Sequence, residues 1–161
     1  MKACVEAFGA LDIVVNNADT THKHQPLLET NEATFDRVVA VNVKSIHHMT
    51  RAVLPLMRER SSGKSAGSII NIGSTAGIRL RPGLSWYKAS KGAVNVLSNS
   101  MATEHGPNPI RVNAVYPVIG VTGLIAQSLG TADTPEAHAK IVAGIPLGRM
   151  STPEDVAQAT L

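Results

Sequence analysis

Leu11-Asp12-Ile13-Val14-Val15-Asn16-Asn17 is a short run of mainly β-branched residues closed by two asparagines. Val and Ile fit a pleated, half-buried surface, so this run predicts a buried strand. Ser68-Ile69-Ile70-Asn71-Ile72 and residues 110–116 repeat the pattern. Helical patterns lie between them. Residues 2–9 read as the last turns of a helix closed by Gly9. Thr30 or Asn31 can cap a second helix that extends to about residue 60. Its inward stripe is Phe35, Val38, Val39, Asn42, Ile46, Met49, Val53 and Met57, with Pro55 set to kink it or mark its last turns. Residues 61–67 read as a polar turn and 73–85 as a loop. A third helix spans about residues 86–105, with Ala89, Ala93, Val94, Leu97, Met101 and Ala102 inward, and stops at Gly106-Pro107. Residues 122–144 suggest one or two short helices. Pro153-Glu154-Asp155 opens a last helix.

Short apolar strands alternating with long helices imply βαβ units. The fold class is therefore α/β, a single domain over residues 1–161 with a doubly wound parallel sheet covered on both faces. There are no internal repeats and no low-complexity linker. In such sheets ligands bind beyond the carboxyl ends of the strands. Asn16 and Asn17 end the first strand, Ser74 follows the second, and Pro117 to Thr122 follow the third. With Tyr87 at a helix start, these polar residues converge on one edge.

The 161 residues carry 15 Lys and Arg against 12 Asp and Glu, mixed along the chain. No basic run interleaved with aromatics marks a nucleic-acid surface. The single cysteine, Cys4, cannot form an internal disulfide, which fits a reducing, cytoplasmic setting. Lys2 and Glu6 interrupt any signal-peptide core at the start of the sequence. Residues 112–132 are uncharged, but Asn113, Pro117, Gly120, Gly123, Gln127 and Gly130 argue against a membrane helix. His22 with His24, and His47 with His48, lack a carboxylate or cysteine at a metal-binding spacing, so no metal is expected.

Tyr87-Lys88-Ala89-Ser90-Lys91 carries the chemistry. Tyr87 and Lys91, four residues apart, share one helix face. An ammonium beside a phenol favours the phenolate. Lowering a tyrosine by about three pKa units takes roughly 4 kcal/mol of differential stabilisation. The pair therefore reads as a tuned general acid/base. Asn42 is the polar member of an apolar stripe, and a buried amide is costly unless its hydrogen bonds are met. Ser74 alone would be an ordinary turn residue, and Ser85 is the expected cap of the Tyr87 helix. Gly73 and Gly77 lack a third glycine and follow the wrong strand for a phosphate loop, so they read as an active-site turn.

Taken together, Asn16-Asn17-Ala18, Asn42, Ser74, Tyr87 with Lys91, and Pro117 through Thr122 resemble the short-chain dehydrogenase/reductase family over essentially the whole chain. The resemblance implies a partial Rossmann-like sheet lacking the first strands and the last strand. It also implies an NAD- or NADP-dependent oxidoreductase that interconverts a secondary alcohol and a ketone. By that resemblance Asn42, Ser74, Tyr87 and Lys91 are catalytic. Tyr87 passes the proton, Ser74 holds the reacting oxygen, Lys91 lowers the tyrosine and holds the nicotinamide ribose, and Asn42 holds a water that links Lys91 to solvent. Asn16, Asn17, Ala18, Tyr87, Lys91, Pro117, Gly120 and Thr122 would contact the cofactor. A homo-oligomer through the 30–60 and 86–105 helices is also implied.

Two positions depart from the family pattern. Asp19 stands where glycine is usual, and a carboxylate near a dinucleotide's phosphates is unfavourable. Asp tolerates a left-handed backbone there. Val118 stands where the family commonly has glycine, with Gly120 as the source of backbone freedom. The glycine-rich strand-turn-helix that receives a pyrophosphate, and with it the choice between NAD and NADP, is not found in these residues. The first strand is then an open apolar edge able to recruit another chain. Two other readings stay open: an inactive fragment that associates with related subunits, and epimerase or dehydratase chemistry on nucleotide sugars. The compact spacing and the Pro153-Glu154-Asp155 segment favour the reductase type. Residues 124–145 would cover the substrate, and their apolar Leu124, Ile125, Leu129 and Ile141 suggest a non-ionic ligand.

Overall fold

Every residue of β2 (Gly67–Ile72) up to Asn71 is buried, because the strand is central in a three-stranded parallel sheet of order β1-β2-β3. The computed structural model describes residues 1–59, 67–130 and 134–161. The polar turn expected at 61–67 lies, but for Gly67, outside them. β1 (Ile13–Asn16) and β3 (Ile110–Val115) flank β2, with Val14 opposite Ile69 and Ile69 opposite Val112. α1 (Lys2–Phe8) leads into β1 and ends at Gly9, whose φ of 75° is the left-handed conformation that glycine adopts without penalty.

Between β1 and β2 the single expected helix is three pieces. Asn31 caps α2 (Glu32–Val39) by accepting from Thr34 N at 2.9 Å. A π-helical turn, Ala40–Lys44, follows, and α3 (Ser45–Glu59) completes the run. Such π turns are insertions that often re-aim a functional side chain, and this one holds Asn42. Pro55 lies inside α3, which continues to Glu59. α4 (Ser85–His105) joins β2 to β3. It begins behind Leu84 with no side-chain cap, so Ser85 is the first helical residue and not the cap. α5 (Ile125–Leu129) and α6 (Pro135–Val142) follow β3. Thr152 caps α7 (Pro153–Thr160) in a capping box with Asp155.

One sheet face is built for burial. Val14, Ile69, Ile110 and Val112 pack there against Ile46, Val53 and Met57 of α3 and Val94 and Met101 of α4. Two expectations for these helices fail. Met49 is 36% exposed, and Ala89 and Ala93 face outward. The buried face of α4 instead carries Lys88, Ser90, Lys91, Asn95 and Ser98 beside Val94. An apolarity pattern points to the wrong side of a helix whose inward face is polar.

The other sheet face is more open than a doubly wound sheet implies. Ser68 and Ile70 are buried on it, yet Ile13 is 62% and Val15 46% exposed, and Arg111 and Asn113 are exposed. No strand pairs with the outer edge of β1 among the described residues. An unpaired apolar edge is a template for another strand. The 161-residue polypeptide prepared alone is therefore expected to self-associate in sedimentation. A soluble monomer that melts cooperatively would contradict this. Among the described residues no helix is long and apolar enough to cross a membrane.

Candidate active site

The three strands end on one edge, and a cleft of about 1050 Å3 opens there. That is the upper end of the range for small-molecule sites. Tyr87 and Ser74 lie on its wall, and so do Asn17 and Ala18 after β1. Pro117, Gly120 and Thr122 after β3 complete this part of the lining. The sequence-predicted residues thus come together, with three placed differently.

Asn16 does not line the cleft. Its side chain is on the helix-facing side of the sheet, where Nδ2 donates to Asn71 Oδ1 at 2.8 Å. Asn71 Nδ2 donates in turn to Ser98 Oγ at 3.0 Å. Side chains alternate across a strand, so Asn16 points away from the site that Asn17 borders. Lys91 and Asn42 are buried behind the wall and do not line the cleft.

Lys91 is one turn beyond Tyr87, with its Nζ 5.8 Å from the phenol ring centroid. The Nζ donates to the Ile72 carbonyl at 3.0 Å and pairs with Asp19 Oδ2 at 3.1 Å. The Tyr87 hydroxyl donates to the same Asp19 oxygen at 3.4 Å. Among the described residues Asp19 Oδ1 is buried with no hydrogen-bond partner. The spacing of Tyr87 and Lys91 predicts a lowered phenol, and the structure has the reverse. Burial holds Tyr87 well above the usual tyrosine value, Asp19's charge raises it further, and a hydrogen bond with Ser74 pulls it back in part. Burial lowers the Lys91 ammonium, and Asp19 opposes that. Asp19 thus stands between cation and phenol. The same pairing compensates the bare negative charge that the sequence places here. Asp19 adopts no left-handed backbone, since among the described residues none other than glycine has a positive φ.

Asn42 places Asp19. Its Oδ1 accepts from Thr20 N and its Nδ2 donates to Thr20 O, each at 2.9 Å, and Nδ2 also reaches Ser90 Oγ at 2.9 Å. The amide grips both backbone groups of the residue after Asp19. Asn42→Ala is expected to cost about 2 kcal/mol, because Thr20 loses partners for both backbone groups. Urea denaturation measures the cost.

Ser74 caps a 3-10 turn, Thr75–Gly77, by accepting from Ala76 N at 3.0 Å. Its carbonyl accepts from Asn95 Nδ2 at 3.3 Å, and Thr75 N reaches Pro117 O at 3.1 Å. A Cβ on Gly77 would lie 2.7 Å from the backbone of Lys91 and Gly92, so only glycine lets this turn sit against α4. Gly120 is needed for proximity and not for conformation: its φ is not positive, and a Cβ there would meet Ser151 Oγ at 2.8 Å. Sequence reasoning missed Asp19 as the partner of Lys91, and Asn95 as the support of Ser74. Asn95 carried a signal, since it is four residues from Lys91 on the same polar helix face.

Among the described residues no group of three or more His, Cys, Asp or Glu side chains can hold a metal ion. A phenol and a serine on the wall, a buried ammonium behind them and small residues at the strand ends suit proton transfer next to a bound organic cofactor.

The whole chain, residues 1–161, matches the family model described as enoyl-(acyl carrier protein) reductase. It is 41% identical over 159 residues to 4-formylbenzenesulfonate dehydrogenase of Comamonas testosteroni, an alignment covering 99% of this chain and 62% of that one. It is 40% identical to 2-(R)-hydroxypropyl-CoM dehydrogenase of Xanthobacter autotrophicus, covering 100% and 62%. The crystal structure of 3-ketoacyl-(acyl-carrier-protein) reductase from Brucella melitensis complexed with NADH superposes with a TM-score of 0.88 at 38% identity, covering 98% of this chain and 61% of that one. The chain therefore spans about three fifths of the length of these relatives. With a parallel α/β sheet, a tyrosine and lysine one helical turn apart, and a serine at the adjoining strand end, the chain belongs to the short-chain dehydrogenase/reductase family.

Proposed function

We propose that this site serves an NAD(P)-dependent oxidoreductase that interconverts a secondary alcohol and a ketone, with Tyr87 as general acid/base. The observation that carries the reading is Tyr87 and Ser74 on one cleft wall with Lys91 buried 5.8 Å behind the phenol ring. Tyr87 gives its proton to the carbonyl oxygen in reduction and takes it back in oxidation. Ser74 donates to the same oxygen as charge develops on it. Lys91 compensates charge beneath the phenol and is itself held by Ile72 O and Asp19. Asn42 fixes the Asp19 loop.

The residues present fit the nicotinamide end of such a cofactor: Asn17, Ala18, Pro117, Gly120 and Thr122 border the cleft beside Tyr87, with Lys91 behind it. The cofactor supplies the hydride. Titration with NADH and with NADPH, followed by energy transfer from the only tryptophan, Trp86, tests the assignment and separates the two cofactors. No binding of either, with no turnover of any ketone, would overturn it.

One observation favours a second reading, a chain that acts only by associating with related subunits. The β1 edge is open, and Val96 on the outward face of α4 is 70% exposed beside Ala89 and Ala93. That face, with the outer side of residues 30–59, is the surface we assign to a homo-oligomer. A cytoplasmic setting fits the single free Cys4.

A further inference from the structure

The cleft has a second chemical feature, which the proton-transfer residues do not use. Arg79 and Arg81, on the segment between Ser74 and Tyr87, and Lys88 of α4 all line it. Among the described residues the only carboxylate on the lining is Asp19, and Lys91 holds it. Neither arginine has a carboxylate partner among the described residues. Lys88 is buried, with 8% of its surface exposed, and its Nζ donates to the Arg81 carbonyl, which fixes the ammonium beside the arginine's backbone. Burial lowers the Lys88 ammonium and the nearby Arg81 charge lowers it further, as expected where like charges are held together without a counter-ion. A buried cation without an opposite charge is costly and is relieved by an anion. The same lining holds the apolar side chains of Leu124, Ile125, Leu129 and Ile141. By themselves those four residues suggest a non-ionic ligand. The structure sets three unmatched cations against them.

We propose that the substrate carries a fixed oxyanion, a sulfonate or carboxylate, held by Arg81 and Lys88 with Arg79 at the rim, while its apolar body lies against Leu124, Ile125 and Ile141. This names the substrate class of the oxidoreductase site and rests on that reading. Arginine and lysine donors make charge-assisted hydrogen bonds to such oxygens, and guanidinium geometry suits two of them at once. The apolar wall supplies area burial, and the cations orient the reacting carbon towards Tyr87. A relative 41% identical is named for an aryl sulfonate, which is consistent with this chemistry.

Calorimetric titration with benzenesulfonate, benzoate and the neutral isostere phenyl methyl sulfone tests the proposal without turnover. The two anions are expected to bind about tenfold or more tighter than the sulfone, a difference of one charge-assisted contact. Arg81→Gln, at an exposed position, is expected to remove that preference and leave the affinity for the sulfone unchanged. Lys88→Met gives a second reading of the same loss. Comparison of sulfonate with benzoate tells which oxyanion is preferred. Equal affinities for anions and sulfone, an anion preference that survives Arg81→Gln, or displacement of the anion by NADH would each overturn the proposal. In the last case the cations serve the cofactor. Because these titrations need no hydride transfer, failure of the oxidoreductase reading appears separately, as absence of turnover with intact anion binding.

Discussion

Tyr87→Phe is expected to lower kcat by about 10²- to 10⁴-fold, the usual contribution of a positioned general acid/base, with NAD(P)H affinity nearly unchanged. The substitution removes one oxygen and keeps the ring, so the packing of the α4 start and the 5.8 Å approach of Lys91 to the ring remain. What disappears is the hydroxyl that is held by Asp19 and Ser74. Steady-state rates and a cofactor titration on the same protein separate lost chemistry from lost binding. The pH dependence follows from the direction of the Tyr87 shift. Burial and Asp19 keep the phenol protonated past its ordinary range. On the proposed reading Tyr87 therefore keeps its proton at neutral pH, as a weaker acid than a free phenol. Oxidation needs the phenolate, so its rate is expected to climb as pH rises into the alkaline range. Asp19→Asn removes a charge that disfavours the phenolate and frees Lys91 to stabilise it. The oxidation profile should then move to lower pH. An unmoved profile would mean that Asp19 does not set the phenol.

Lys91→Met is expected to cost roughly 3–5 kcal/mol of stability, because breaking one side of a buried ion pair leaves the other charge uncompensated. Lys91 is 3% and Asp19 22% exposed at the side chain, and among the described residues Asp19 Oδ1 already has no partner. The double variant Asp19→Asn with Lys91→Met should regain much of that stability, since no lone carboxylate remains. It should regain no activity, since the cation beneath Tyr87 is still absent. A double-mutant cycle by urea denaturation, run beside rate measurements, gives both readings. Additive stabilities would show that the two side chains do not act as a pair.

How much of this was legible in the sequence depends on what each residue had to do. The β-branched runs at Ile13, Ile69 and Ile110 marked all three strands, because burial on at least one face selects those residues. Cap chemistry at Asn31, Pro153 at the start of the last helix and the left-handed Gly9 marked helix ends for equally local reasons. The Tyr87 and Lys91 spacing survived because i, i+4 geometry is a property of the helix itself. Long-range effects were not legible. Asp19 and Lys91 are 72 residues apart in sequence by subtraction of their numbers, and no spacing shows that one holds the other at 3.1 Å. The π turn at Asn42 shifts the helix register, which no uniform 3.6 period shows. The inward polar face of α4 defeats an apolarity count, because its partners, Asn42, Ile72 O and Asn71, come from other elements.

The proposed function stands on one step, hydride transfer from a nicotinamide cofactor to a carbonyl while Tyr87 supplies the proton. Reduction of a ketone or aldehyde with cofactor carrying deuterium at both C4 positions of the dihydronicotinamide, in ordinary water and followed by mass spectrometry of the product, tests this step. The expected product is an alcohol with one deuterium on the former carbonyl carbon, formed by the wild-type protein and lost with Tyr87→Phe. An alcohol without deuterium at that carbon, or equal product from Tyr87→Phe, would contradict it.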